Sequence, residues 1–399
     1  MHRLQNRIQE YAWGSRTAIA ELLGLPSPSR MPQAEMWMGA HPVAPSSVVR
    51  EGHALSLLRL IEENPPEQLG EELAARYGGR LPFLLKVLAA DAPLSLQVHP
   101  SLAQAQEGFA REDARGVARD APHRNYRDAN HKPELLCALT PMQALCGFRA
   151  PSETLALARA LDVPVLMEVL APLVQRPDAE GLRDTFASLL GLPPDLRSRL
   201  LAEVLAACAV HASGSGTLAE AAACVIRLAE HHPQDVGAVV SLLLNLVTLE
   251  PGEALYLDAG ILHAYVRGTG IEVMANSDNV LRCGLTPKHV DVEELLRVLD
   301  FRTGPVERLR AEPCGEHSGE DIFRTAAPDF RLSRVQVGDA PVRLQRRGPE
   351  VVLCTEGEIE LVQEGAVLAL QRGESVFVPA CDPTYRVRGR GVFFRATAG

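Results

Sequence analysis

The 399-residue chain carries 40 Lys+Arg against 50 Asp+Glu, a formal charge of −10; this excludes nucleic-acid binding carried by overall charge, which needs a basic surface or stripe. Apolar residues at 46% and charged residues at 23% fit a soluble globular enzyme rather than a disordered chain, and at roughly 100–200 residues per domain the length predicts two or three domains. The longest apolar runs, such as 239–249, fall short of the roughly 20 residues a membrane helix needs, and residues 1–14 lack an apolar signal core, so a cytoplasmic protein with no membrane partner is expected.

Residues 1 to about 150 mix short apolar runs with many Pro and Gly breaks, as in LPFLLKVL (81–88) and LSLQVH (94–99), which favours strands and loops. From 151 to 250 the texture turns Leu/Ala-rich and helical. SETLALARAL opens on Ser152 as N-cap with Glu153 behind it, and AEGLRDTFASLLGL ends at Gly191 ahead of two prolines. RSRLLAEVLAACAV and TLAEAAACVIRLAEHH read as two more helices joined by the turn HASGSGT. Strand character returns over 251–284, followed by a helix in DVEELLRVLDF with Asp291 as N-cap and Glu294 three residues on. Beyond a polar stretch at 315–321, residues 330–399 alternate in short runs with Gly turns, the pattern of an antiparallel sandwich or barrel. The 8 cysteines form no C-x-x-C pair and read as reduced, mostly buried thiols.

Chemistry concentrates in four places. In LSLQVHP, strand alternation puts Ser95, Gln97 and His99 on one face and Leu94, Leu96 and Val98 on the other, which suggests a lumen or cleft. The same alternation sets Lys86 opposite Leu85 and Val87; a lysine in so apolar a run needs a partner or an anion. In DANHKPELLCAL, Asn130, His131, Lys132 and Glu134 precede an apolar strand, with Lys132 and Glu134 on one side. In DAGILHAY, Gly260 makes a turn before His263. Two histidines, a glutamate and an amide from separate strands could close a four-ligand N/O site of the kind zinc tolerates. Glu272, Asp278, Arg282 and Lys288 then crowd a Gly-bounded segment whose Arg and Lys suit a phosphate.

The segments YAWG (11–14), AEMWMGAHP (34–42), LPFLLKVLAADAPLSLQVHP (81–100), NHKPELLCAL (130–139) and GILHAYVRGTGIEVMANSDNVLRCGLTPKHVD (260–291) resemble, in order, the signature segments of type I mannose-6-phosphate isomerase. The resemblance implies a mainly β fold with an α insertion: two cupin (jelly-roll) β-barrels plus a helical domain. The catalytic cupin is expected over 1–150 and 251–310, the inserted helical domain over 151–250, and a C-terminal cupin over 311–399. The tail stretch GESVFVPACDPTY carries no histidine and His317 is the last in the chain, so that second barrel is expected to be metal-free. The resemblance further implies one Zn2+ per chain on Gln97, His99, Glu134 and His263. It places the family's active-site arginine on Arg282 and other cleft residues on Lys86, Ser95, His131, Lys132, Glu272 and Lys288. The roles of Trp13 and Glu35 are left open. Ala12 stands where some relatives carry Asp.

The expected reaction interconverts mannose 6-phosphate and fructose 6-phosphate by proton transfer between C2 and C1 through an enediol(ate). Lys132 and Glu272 are candidates for proton transfer and His131 for ring opening, Arg282 for charge stabilisation or substrate contact, and Lys86, Ser95 and Lys288 for substrate binding. The partner is a small sugar phosphate, and the chain is expected to be a monomer or a weak homo-oligomer. Competing readings are an iron-dependent cupin oxygenase, which uses two histidines and a carboxylate, and a non-catalytic sugar-phosphate-binding cupin.

Overall fold

The computed structural model describes residues 1–50, 52–315 and 319–399, so His317 and part of the 315–321 stretch lie outside the described residues. Period-two alternation builds the first sheet, of 11 strands. Along Phe83–Ala90, Leu85, Val87 and Ala89 join one apolar cluster while Lys86 and Leu88 face the other way. Along Glu134–Ala138, Leu135 and Cys137 take the first face and Leu136 and Ala138 the second. The strand His263–Ala275 runs through both halves of the sheet. Its C-terminal part pairs with Phe83–Ala90 and Glu134–Ala138, and its N-terminal part with Met142–Phe148 and with Gln97. It therefore belongs to two leaves, and the cluster of Leu88, Leu136, Met142, Ala144, Leu255 and Tyr265 fills the space between them. Gly268 carries the bend at φ 127°, and a Cβ there would stand 2.8 Å from Met142 Cα; only glycine tolerates both conditions.

The outer face of one leaf packs on helices and that of the other on a second sheet. Leu96, Val98, Leu145, Ala264 and Leu281 meet the helical block through Leu182, Phe186, Leu189, Leu200 and Val225. Leu85, Val87, Leu135 and Val273 meet Phe323, Phe330, Leu332, Val351 and Phe394 of the second sheet, of 9 strands. There too the faces alternate: Val351 and Leu353 turn toward the first sheet, Val352 and Cys354 toward an inner cluster with Ile359, Val376 and Phe393. The order is thus helices, leaf, interior, leaf, second sheet. Neither hydrogen-bonded path returns on itself, so the expected mainly β fold with a helical insertion is present as bent, open sheets instead of closed barrels.

Several local readings shift. Pro151 occupies the first turn of the helix Pro151–Leu161 and Ala150 its N-cap, two residues before Ser152; proline's fixed φ suits that position. Helical texture stops before Leu244–Leu249, which is a strand paired with Met142–Phe148. The helix Leu102–Ala114 sits in the stretch read as strands and loops, and a complete capping box of Ser101 and Gln104 opens it. Asp291 does cap Val292–Val298 by accepting from Glu294 N, and Gly191 closes Ala179–Leu190. Among the described residues no helix is long and apolar enough to cross a membrane.

The sheet-to-sheet contact carries a prediction. Phe330→Ala removes a fully buried ring from that contact and is expected to destabilise the protein by about 3–5 kcal/mol, read as a lowered denaturation midpoint; an unchanged midpoint would show that the two sheets do not depend on this packing.

Candidate active site

Three strands bring His99, Glu134 and His263 into the interior between the leaves. Their ligand-type atoms all lie within 4.8 Å of one another, and all three residues are buried. His99 Nε2 stands 3.3 Å from Glu134 Oε1 and His263 Nε2 3.5 Å from Glu134 Oε2. Both imidazoles are oriented from behind. Nδ1 of His99 contacts the Asn279 carbonyl at 2.8 Å and Nδ1 of His263 the Ile261 carbonyl at 2.9 Å. Donation through Nδ1–H turns each Nε2 lone pair to the centre, the arrangement of metal-binding histidines. Those two Nε2 atoms and Glu134 Oε2 are buried without a hydrogen-bond partner. Orphaned lone pairs at such a point are costly, and a divalent cation satisfies all of them. Gln97 pairs in register with His263, which puts its side chain on the same face of the sheet. Gly260, at φ 81°, anchors the loop before His263: its N–H donates to the His99 carbonyl and its carbonyl accepts from Asp300 N.

The electrostatics favour that cation. Burial outweighs the attraction of Glu134 and holds the His99 imidazole down at about 4, in its neutral, ligating form. Burial opposes the charge of Glu134, but Lys132 and the two histidines overcome it and keep the carboxyl well below its usual range.

A second charged group borders the first. Lys86 Nζ lies 2.9 Å from Glu272 Oε2 and 3.6 Å from Glu35 Oε1, and 5.3 Å from the centre of the Trp37 ring, whose Nε1–H donates to Glu35. Burial works against the ammonium, yet Glu272 and Glu35 raise its pKa above the ordinary lysine value, so Lys86 is a fixed cation. Burial also raises Glu272, against the pull of Lys86. Lys132 Nζ reaches Glu134 Oε1 at 3.0 Å, as the reading of one shared side required. Tyr265, which the sequence did not flag, is fully buried on the His263 face with its hydroxyl unpartnered; burial, then Glu272 and Glu134, raises its pKa well above the ordinary value.

Arg282 is half-buried, and burial together with repulsion from Arg127 lowers its pKa; Lys288 is lowered by burial and by both arginines. None of the three has a side-chain ion pair among the described residues, and they form a cationic group whose nearest acidic influence is Asp278 on Arg127. Arg127 was not recognised in the sequence, where nothing marks it from other loop arginines. Asp278 accepts instead from His41, 3.4 Å away.

Two expected residues stand differently. Leu94 packs in the inner cluster while Leu96 packs on the helices; the strand begins only at Leu96, so alternation does not place Ser95, which is half-buried with no hydrogen-bond partner among the described residues. His131 meets Asp329, from beyond the helical block, at 2.8 Å. Cys283 is buried in the core, and burial raises its thiol. A cavity of about 780 Å³ lined by Phe148, Tyr256, Ile261 and Val306 contains none of the convergent groups.

Residues 1–151 match the family model for phosphomannose isomerase type I, catalytic domain, and residues 320–398 that for the mannose-6-phosphate isomerase cupin domain. The chain is 42% identical over 392 residues to mannose-6-phosphate isomerase of Escherichia coli K12, covering 98% of each.

The chain belongs to the type I phosphomannose isomerase family. It is an isomerase of that family. The rat mannose-6-phosphate isomerase is 32% identical with 94% of each chain covered. Among solved structures, the K86A mutant of the Salmonella typhimurium phosphomannose isomerase superposes with a TM-score of 0.93 at 40% identity, over 100% of this chain and 99% of that one. A mannose 6-phosphate isomerase bound with zinc and yttrium gives 0.92 at 40% identity over the same shares.

The depressed His99 imidazole sets a pH dependence. An unfolded histidine takes up its proton near 6.5, whereas the folded one resists protonation until about 4, so acid favours the unfolded chain. Metal-free protein is therefore expected to lose stability as pH falls from about 6.5 to about 4, measured by thermal denaturation, and His99→Gln to flatten part of that slope. An identical slope in the variant would assign the effect to other groups.

Proposed function

We propose that the chain interconverts mannose 6-phosphate and fructose 6-phosphate, with a zinc ion held by Gln97, His99, Glu134 and His263. The observation that carries this reading is the buried set of two imidazoles and a carboxylate that together leave three converging atoms without a partner, with the cationic group of Arg127, Arg282 and Lys288 as a second support. The relatives named mannose-6-phosphate isomerase, similar along the whole chain, support the same substrate. Zinc bound there supplies a Lewis acid for sugar oxygens and tolerates the N/O donor set.

The chain's own residues divide the remaining work. Arg127, Arg282 and Lys288 offer a fork and point charges to the phosphate dianion, whose arrival relieves their mutual repulsion. Glu272, with its proton affinity raised by burial, accepts the carbon-bound proton from C2 and returns it to C1, the task of a base tuned toward neutrality. Lys86, pinned between Glu272 and Glu35, keeps that carboxylate oriented and limits how far its pKa rises. Lys132 delivers positive charge to the oxygens of an enediol(ate), with Arg282 on the same side of the chemistry. Ser95, without a protein partner, is available to a sugar hydroxyl, and His131 to the ring-opening proton transfer.

A coupled assay on mannose 6-phosphate with and without a chelator tests the reading. His99→Ala and His263→Ala are each expected to lose stoichiometric zinc and activity together, and full activity in a metal-free variant defeats the site. Arg282→Ala is expected to lower turnover by roughly 10²-fold or more with zinc retained; zinc lost in parallel would make Arg282 structural. Arg127→Ala is expected to raise KM about 10-fold with little change in kcat, the signature of binding shared by ground and transition states.

A further inference from the structure

The His131–Asp329 pair joins the catalytic sheet to the second sheet across 198 residues of chain. Asp329 lies just before the strand Arg331–Val337, and its side chain is 3% exposed. Its carboxylate has a single hydrogen-bond partner among the described residues, His131 Nε2 at 2.8 Å. Adhesion between the sheets does not call for this pair. Phe323, Phe330, Leu332 and Phe394 already cover Leu85, Val87 and Leu135 there, and one hydrogen-bonded polar pair adds little net stability compared with that apolar packing. Such a pair is better suited to fixing geometry.

The segment that His131 belongs to is held at its other edge as well. Asn279 Nδ2 donates to the Asn130 carbonyl at 2.8 Å, and Asn130 Nδ2 donates to the Asn276 carbonyl at 3.3 Å. Further on, Ala275 N donates to the Pro133 carbonyl. Asn279 also accepts at its own carbonyl from His99 Nδ1, so one asparagine ties a metal-site histidine to this segment. Between the anchors stand the two side chains that turn inward, Lys132 and Glu134, in contact at 3.0 Å. Residues 130–133 have no strand pairing of their own, so these few tethers, mostly from side chains, set their path.

We infer that Asp329 is a positioning residue of the active site: by holding His131 from the second sheet it fixes the 130–134 segment and thereby aims Lys132 and Glu134. The inference rests on the isomerase reading above and assigns the C-terminal sheet a part in turnover. Because a displacement of about 1 Å at reacting groups can cost about 10²-fold in rate, a slack tether is enough to be seen.

The test uses the full-length, zinc-loaded enzyme with Asp329→Asn, which keeps the shape, and Asp329→Ala. Both are expected to lower kcat about 10-fold or more, with KM for mannose 6-phosphate within about 3-fold because the cationic group is separate. In the metal-free protein, amide hydrogens of 128–134 are expected to exchange faster in Asp329→Asn than in the parent chain. Combined with His131→Ala, Asp329→Asn is expected to add no further loss, since the carboxylate acts only through that ring. Unchanged kcat and exchange in Asp329→Asn, or equal losses with and without His131, would overturn the inference while leaving the isomerase reading intact. A parent enzyme inactive on mannose 6-phosphate would instead remove the isomerase reading.

Discussion

Three buried lone-pair atoms with nothing to bond to organise this protein. Nε2 of His99, Nε2 of His263 and Oε2 of Glu134 meet inside a sandwich with no hydrogen-bond donor aimed at them, a configuration that costs a folded chain free energy until something positive completes it. The charges around it follow. Lys132 leans on Glu134 from one side, and carbonyls behind each imidazole decide which nitrogen points inward. Alongside it a separate ionic cluster, Lys86 with Glu272 and Glu35, keeps a carboxyl of raised proton affinity buried next to a cation. The two clusters share the interior, close enough for Glu134 to act on Lys86.

The layers around this interior protect it. Helices seal one leaf and the second sheet seals the other, and the buried polar groups share the space between the leaves with an apolar cluster. In such surroundings each charge acts more strongly than it would at the surface, which is why so few residues suffice.

Where a strand buries both faces, its chemistry could be read from alternation alone: Lys86 between Leu85 and Val87, or Gln97 between Leu96 and Val98, falls on the polar side as the period of two requires. The reading failed where the period breaks. Leu94 lies before the strand proper and turns inward, leaving Ser95 unassigned, and the helix Leu102–Ala114 is polar enough on its outer face to pass for loop, although Ser101 and Gln104 were a legible capping signal. Partners distant in sequence carry no local mark at all. Neither Arg127 beside Arg282 nor Asp329 beside His131 differs in its immediate neighbours from an ordinary charged loop residue, and the carbonyl of Asn279 is invisible to any argument about side chains. The family resemblance pointed to His131, and only the folded chain reveals what holds it.

The strand His263–Ala275 bends through Gly268 and serves both leaves, carrying His263 at one end and Glu272 near the other. Pulling the leaves apart would break the backbone ladder that aligns His263 with Glu272. The framework around the site is therefore held like a clasp forged from a single wire.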